Sequence, residues 1–172
     1  MTSKQILYGM TNRDSSQIIS VASSKSQEHT ILRDSILPGL LENLSKNIHE
    51  TYPQKFFESG IVFSKGSPVK EAASLACVTA SEESHFSEMK AILQSLLRIG
   101  FSIKCETKTL SNHALFSQGR VAEIIINRKV VGYIGELDSK VLENFRIRTR
   151  VVGFEIKPVS YTHLTLPTIL LV

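Results

Sequence analysis

The chain of 172 residues is long enough to bury one core, and no Pro-, Gly- or Ser-rich linker divides it, so we expect a single domain. Hydrophobic residues make up 42% and charged residues 21%, a globular balance that excludes general disorder. The net charge of +4 is too small and too dispersed to establish nucleic-acid binding by itself.

The two cysteines indicate a cellular compartment. Cys77 and Cys105 each lie in an apolar run, without a neighbouring histidine or second cysteine that would suggest a zinc site. We therefore predict reduced core thiols. Since the N-terminus does not resemble a signal peptide, the sequence predicts a reducing cytosol and no membrane contact.

The first third of the chain contains short extended segments followed by a helix. Apolar runs at 5–10 and 18–22 predict two strands separated by a polar turn. An extended arm at 30–33 then leads into the helix. Pro38 is tolerated only near a helix start, and Asp34 and Ser35 are good cap residues, so the helix is predicted to begin between residues 34 and 38.

This helix carries an apolar stripe at helical spacing, formed by Leu37, Leu40, Leu41, Leu44 and Ile48. Such a stripe covers either the chain's own core or a partner. The extended arm in front of the helix favours a partner, so we predict a subunit interface that consists of the stripe together with Leu32 and Arg33.

The remaining elements alternate between strands and helices. We predict strands at 55–64, with a bend or bulge at Ser59 and Gly60, and at 72–80, 101–107, 120–127, 130–137 and 151–157. Helices are predicted at 86–99, capped by Ser84 and ended by Gly100, and from Asp138 or Ser139 through Phe145. This order predicts a mixed α+β fold with mostly antiparallel neighbours.

Six segments occur together in an order and spacing that resemble a known family. They are LRDSILPGLLENLSKN (32–47), FFESGIVF (56–63), FSEMKAILQSLL (86–97), QGRVAEIIINRKVVGYIGEL (118–137), VLENF (141–145) and VVGFEI (151–156). Taken together, these segments resemble the catalytic-like core of the phenylalanine-tRNA ligase beta subunit, of the archaeal and eukaryotic kind. The resemblance implies a class II aminoacyl-tRNA synthetase fold over residues 1–157, an antiparallel sheet flanked by helices.

The resemblance also implies a role. The family's beta subunit pairs with a catalytic alpha subunit in an alpha2-beta2 assembly, which uses ATP and magnesium to charge tRNA with phenylalanine. The arginines that a class II site needs for ATP phosphates are absent from 56–63 and from 132–139. The resemblance therefore implies no catalytic, cofactor or metal residues in this chain, and contact with tRNA only through the assembly.

Three arginines are candidates for contact with RNA or with another subunit, namely Arg120, Arg146 and Arg148. The alternatives are an edge salt bridge for Arg120 and a solvated loop for the other two. The predicted function is a non-catalytic module that docks the alpha subunit. For the isolated chain the sequence leaves two alternatives open, a monomer and a homodimer. The alternative is a stand-alone regulatory or small-molecule-binding module. Residues 158–172 do not match the family and are interpreted as a cloning or sequence-assembly remnant.

Overall fold

The computed structural model describes residues 3, 5–11, 18–20, 31–83 and 85–157. Its strands are β1 (Ile19–Ser20), β2 (Ile31–Leu32), β3 (Gln54–Ser64), β4 (Lys70–Ala80), β5 (Glu106–Leu110), β6 (Phe116–Ile126), β7 (Lys129–Leu137) and β8 (Val151–Ile156). The last six form one sheet in the order β3-β4-β8-β7-β6-β5, and every neighbouring pair is antiparallel. β1 and β2 form a separate two-stranded ribbon.

The helices are α1 (Leu37–Lys46), α2 (Phe86–Ser95) and α3 (Ser139–Asn144), with π-helical turns at Gln5–Gly9 and Leu96–Gly100. The apolar residues of α1 and α3 share one core with side chains of β4 and β6, whereas those of α2 share a second core with β6, β7 and β8. The sheet is therefore covered on both faces, which is the predicted α+β architecture. None of the helices in the described residues is long and apolar enough to cross a membrane.

A carboxylate from β8 caps the start of α1. Glu155 is 9% exposed and accepts hydrogen bonds from the Ser35 hydroxyl at 2.6 Å and the Ser74 hydroxyl at 2.8 Å. It also accepts from the backbone N–H groups of Ile36 and Leu37 at 3.0 to 3.2 Å. The first N–H groups of a helix have no intrahelical partner. Glu155 accepts their hydrogen bonds here, in place of the predicted cap residues Asp34 and Ser35.

The predicted strands at 120–127 and 130–137 form the β6–β7 hairpin, with its turn one residue earlier than those bounds imply. Asn127 and Arg128 have φ values of 48° and 64°, the left-handed conformation that a two-residue hairpin turn requires. One extra residue in β7 creates a bulge, since Ile124 pairs with Gly132 while Ile125 pairs with Val130.

Three predicted elements differ from the structure. Residues 5–9 form a π-helical turn and not a strand. The strand predicted at 101–107 begins only at Glu106, because the N–H groups of Ser102 and Ile103 bond back to Arg98 and Leu97 and close the preceding turn. The pairing of β3 with β4 runs through Gly60 without a register shift, so no bulge is present there. Ser84 and the tail at 158–172 lie outside the described residues.

Candidate functional site

An open cleft of about 1330 Å³ lies at one end of the sheet. β4 and β7 end there and β8 begins there, and the segments that follow α1 and α3 close its sides. The lining residues are Ile48, His49, Tyr52, Ser81, Glu82, Glu83, Ser117, Glu136, Leu137, Ser139, Leu142, Glu143, Arg146, Ile147, Arg148, Thr149 and Arg150. The cleft is large enough for a macromolecular segment or a sizeable ligand.

The cleft brings together site candidates that are far apart in sequence. Ile48 lines it from the end of α1, and Arg146 and Arg148 line it from the segment after α3. Arg120 donates a hydrogen bond at 2.7 Å to Glu136, a lining residue that also lies 3.4 Å from Arg150. The edge salt bridge considered for Arg120 is thus present, and this pair holds Arg120 at the margin of the cleft.

Arg146 is placed in the cleft by the way α3 ends. Its φ of 59° is left-handed, and its N–H bonds to the carbonyl of Glu143 while the N–H of Ile147 bonds to that of Leu142. These two bonds form a Schellman motif, in which the left-handed position is usually a glycine. An arginine with this φ has a conformational cost. The residues that follow it, through Arg150, also line the cleft.

The charges of the cleft are of both signs. Three guanidinium groups face four carboxylates, those of Glu82, Glu83, Glu136 and Glu143. Among the described residues, no ion pair forms at Arg146 or Arg148. The buried Thr149 hydroxyl oxygen has no hydrogen-bond partner in the described part of the chain. Ile48 and Tyr52 add apolar surface, 36% and 43% exposed.

The structure corrects the interface prediction for four leucines of the stripe. Leu37, Leu40, Leu41 and Leu44 are at most 2% exposed and belong to the core that this chain forms with its own sheet. An amphipathic stripe indicates that one side of a helix is covered but not what covers it, and here the sheet does so. Only Ile48, at the far end of the stripe, remains partly exposed.

Leu32 and Arg33 lie away from the cleft, beside the edge strand β3. Arg33 pairs with Glu58 and donates to the Ile61 carbonyl at 3.2 Å, and its own carbonyl accepts from the Phe63 N–H at 2.8 Å. A Cβ at Gly60 would collide with the Arg33 guanidinium, so the glycine creates the space for this contact. Leu32 is half-buried.

The two thiols are separate from the cleft. Cys77 lies in β4 and Cys105 just before β5, and both are free and partly buried. Burial raises the pKa of the Cys77 thiol, against a smaller opposing effect of the Lys55 charge. Burial also raises the pKa of Cys105. Both thiols are therefore protonated at neutral pH, which suits the predicted structural role.

Several lining residues had no signal in the sequence. In the sequence, Glu136 falls inside a predicted strand, and Glu82, Glu83 and Thr149 fall between predicted elements. Of the cleft's charged residues, the sequence points to Arg146 and Arg148 only. Glu82, Glu83 and Glu136 meet these arginines because β4 and β7 end where β8 begins.

Comparisons with known proteins agree with this fold. A pyrrolysyl tRNA synthetase from Desulfitobacterium hafniense superimposes with a TM-score of 0.71 over 91% of this chain and 56% of that chain, at 16% identity. This likeness confirms the predicted class II synthetase-like fold.

The sequence relatives identify the family. Phenylalanine-tRNA ligase beta subunits from Pyrococcus abyssi and Methanocaldococcus jannaschii are 37% and 35% identical to this chain, each over 91% of its length. The chain spans only 28% and 29% of the length of these two relatives. The family model described as the phenylalanyl tRNA synthetase beta chain CLM domain matches residues 1–157, and the chain belongs to that family.

Proposed function

We propose that the chain is a non-catalytic module of a phenylalanine-tRNA ligase beta subunit, which docks the catalytic alpha subunit through the cleft where β4 and β7 end and β8 begins. In that assembly it supports the ATP- and magnesium-dependent charging of tRNA with phenylalanine in the cytosol. The observation that carries the proposal is the convergence of Ile48, Arg146 and Arg148 in one open cleft of a chain that belongs to this family.

The charge pattern favours a protein over RNA as the direct partner. RNA backbones are recognised through clustered positive charge, and each added carboxylate weakens that attraction. Here four carboxylates lie among three arginines, and partly exposed Ile48 and Tyr52 add apolar contact area. A mixed-charge surface with apolar anchors is typical of a protein interface. We therefore assign Arg146 and Arg148 to subunit contact, and tRNA contact to the assembly as a whole.

Arg120 has a supporting role in this proposal. Its bond to Glu136 orients a carboxylate that also approaches Arg150. Because Glu136 is shared by two guanidinium groups, the network fixes the rim of the cleft without requiring Arg120 to touch the partner. Leu32 and Arg33 are assigned to a second, peripheral contact beside β3.

Co-purification with a tagged cognate alpha subunit tests the docking. We expect the unmodified chain to be retained, and Ile48→Asp and Arg148→Glu to be lost at equal expression and unchanged thermal stability. Lys108→Glu is the matched control, because this exposed lysine of β5 lies outside the cleft. Failure to retain the unmodified chain, or retention of both cleft variants, would contradict the proposal.

Charged substitutions at the four buried leucines of the stripe answer a different question. Leu41 is fully buried, so Leu41→Asp places an unpaired charge in the core and is expected to unfold the chain. It therefore cannot report on docking.

Activity and mass in solution test the other parts of the proposal. The isolated chain is expected to show no phenylalanine-dependent ATP-pyrophosphate exchange, and measurable exchange would overturn the non-catalytic assignment. Light scattering tests directly whether the isolated chain is a monomer or a homodimer.

A further inference from the structure

β3 is the outermost strand on one side of the sheet. It pairs with β4 along all of its 11 residues, from Gln54 opposite Ala80 to Ser64 opposite Lys70. The backbone N–H and C=O groups on its outer edge have no strand partner in the described part of the chain. A long edge of this kind is a site at which a strand from a second copy of the chain can add.

Two exposed apolar side chains make pairing between two copies of this edge favourable. Phe57 is 78% exposed and Ile61 is 45% exposed. Residues separated by an even number of positions share a face of a strand, so both side chains lie on the same face of β3. If two β3 strands paired antiparallel around Ser59, Phe57 of each copy would lie opposite Ile61 of the other. Such cross-strand apolar pairs stabilise a sheet.

Arg33 lies along part of this outer edge. Its backbone carbonyl accepts a hydrogen bond from the Phe63 N–H at 2.8 Å, and its Nε donates to the Ile61 carbonyl at 3.2 Å. The N–H and C=O groups of alternate residues in an antiparallel strand point to the same edge. These two bonds therefore occupy groups that a strand from a second copy would need.

The side chain of Arg33 is held against the strand by two neighbours. Its guanidinium pairs with Glu58, and the two side chains are 24% and 32% exposed. A Cβ at Gly60 would collide with the guanidinium, so the charged group lies directly on the strand at that position. A strand that added to β3 would have to displace a charge from its ion pair and its hydrogen bond, which is costly.

We propose that Arg33 closes the outer edge of β3 and prevents a second copy of the chain from adding there as a strand. Pairing around Ser59 uses the edge from residue 55 to residue 63, and Arg33 occupies its Ile61 and Phe63 end in both copies. The inference concerns contacts inside this chain. It does not depend on docking of the alpha subunit, because no residue of β3 lines the cleft.

Light scattering of the full chain over a range of concentrations tests the proposal, with circular dichroism as the check on folding. Arg33→Ala is expected to raise the average mass about twofold over that of the unmodified chain at the same concentration. Gly60→Ala displaces the guanidinium without removing it and is expected to give a smaller increase. Arg98→Ala, which removes an exposed arginine outside β3, is the matched control and is expected to leave the mass unchanged.

A charge on the edge itself shows where the copies meet. Ile61→Lys in the Arg33→Ala background is expected to restore the mass of the unmodified chain, because a lysine on an edge strand opposes pairing. A folded Arg33→Ala variant with the mass of the unmodified chain would overturn the proposal. Association that persists in the double variant, or association of the unmodified chain that Ile61→Lys abolishes, would overturn it too. If Arg33→Ala does not fold, an unchanged mass of Gly60→Ala is the result that refutes it.

Discussion

Replacing Glu155 with glutamine changes the charge at the junction of β8 and α1 while it preserves the side-chain volume. The amide keeps one oxygen but puts N–H donors where the second oxygen lay. The hydroxyls of Ser35 and Ser74 can rotate to accept from the amide. The backbone N–H groups of Ile36 and Leu37 cannot rotate, so the charged cap of the helix is lost.

The size of the effect follows from these contacts. A hydrogen bond to a charged acceptor contributes about 1.5–3 kcal/mol, against about 1 kcal/mol for a neutral pair. The interaction of a carboxylate with a helix N-terminus contributes about 0.3–2 kcal/mol. We therefore expect Glu155→Gln to lower the free energy of unfolding by about 2–3 kcal/mol. For a chain of this size the melting temperature would fall by about 5–10 °C.

Urea unfolding followed by circular dichroism measures this difference. Glu71→Gln, at the exposed start of β4, is the control and is expected to change the free energy of unfolding by less than about 0.5 kcal/mol. A Glu155→Gln variant as stable as this control would refute the conclusion that the buried carboxylate stabilises the start of α1.

Three further predictions concern local conformation and reactivity. Arg146→Gly should raise the free energy of unfolding by about 1 kcal/mol, because glycine adopts the left-handed φ without a Cβ clash. A lower free energy of unfolding for the variant in urea would contradict this. Gly60→Ala should displace the Arg33 guanidinium and cost less than about 1 kcal/mol, a loss that should vanish in an Arg33→Ala background. Burial raises the pKa of the Cys77 thiol, so iodoacetamide at pH 8 should alkylate it more slowly in the native than in the urea-unfolded chain. The native rate should increase at higher pH. Mass spectrometry measures both rates, and equal rates at pH 8 would contradict this prediction.

The candidate site was predictable in part. Ile48, Arg146 and Arg148 were singled out from sequence, and they do share one cleft. Glu136 and Thr149 were not, because each is brought there by the end of a strand or a turn whose neighbours come from elsewhere in the chain.

Local patterns determined most of the elements of this protein. Helical spacing located α1 and α2, and residue preference located the two strands of the β6–β7 hairpin to within one residue of its turn. The six segments taken together pointed to the family. These features depend on side-chain periodicity and backbone preference over a few residues, which a sequence carries directly.

Only the tertiary structure decided what each apolar or charged face meets. It placed Leu41 against the sheet of its own chain, and it made Glu155, a residue of the last strand, the cap of the first helix. Burial and pairing between distant segments depend on how the strands are ordered in space. Periodicity along one helix carries no information about that order.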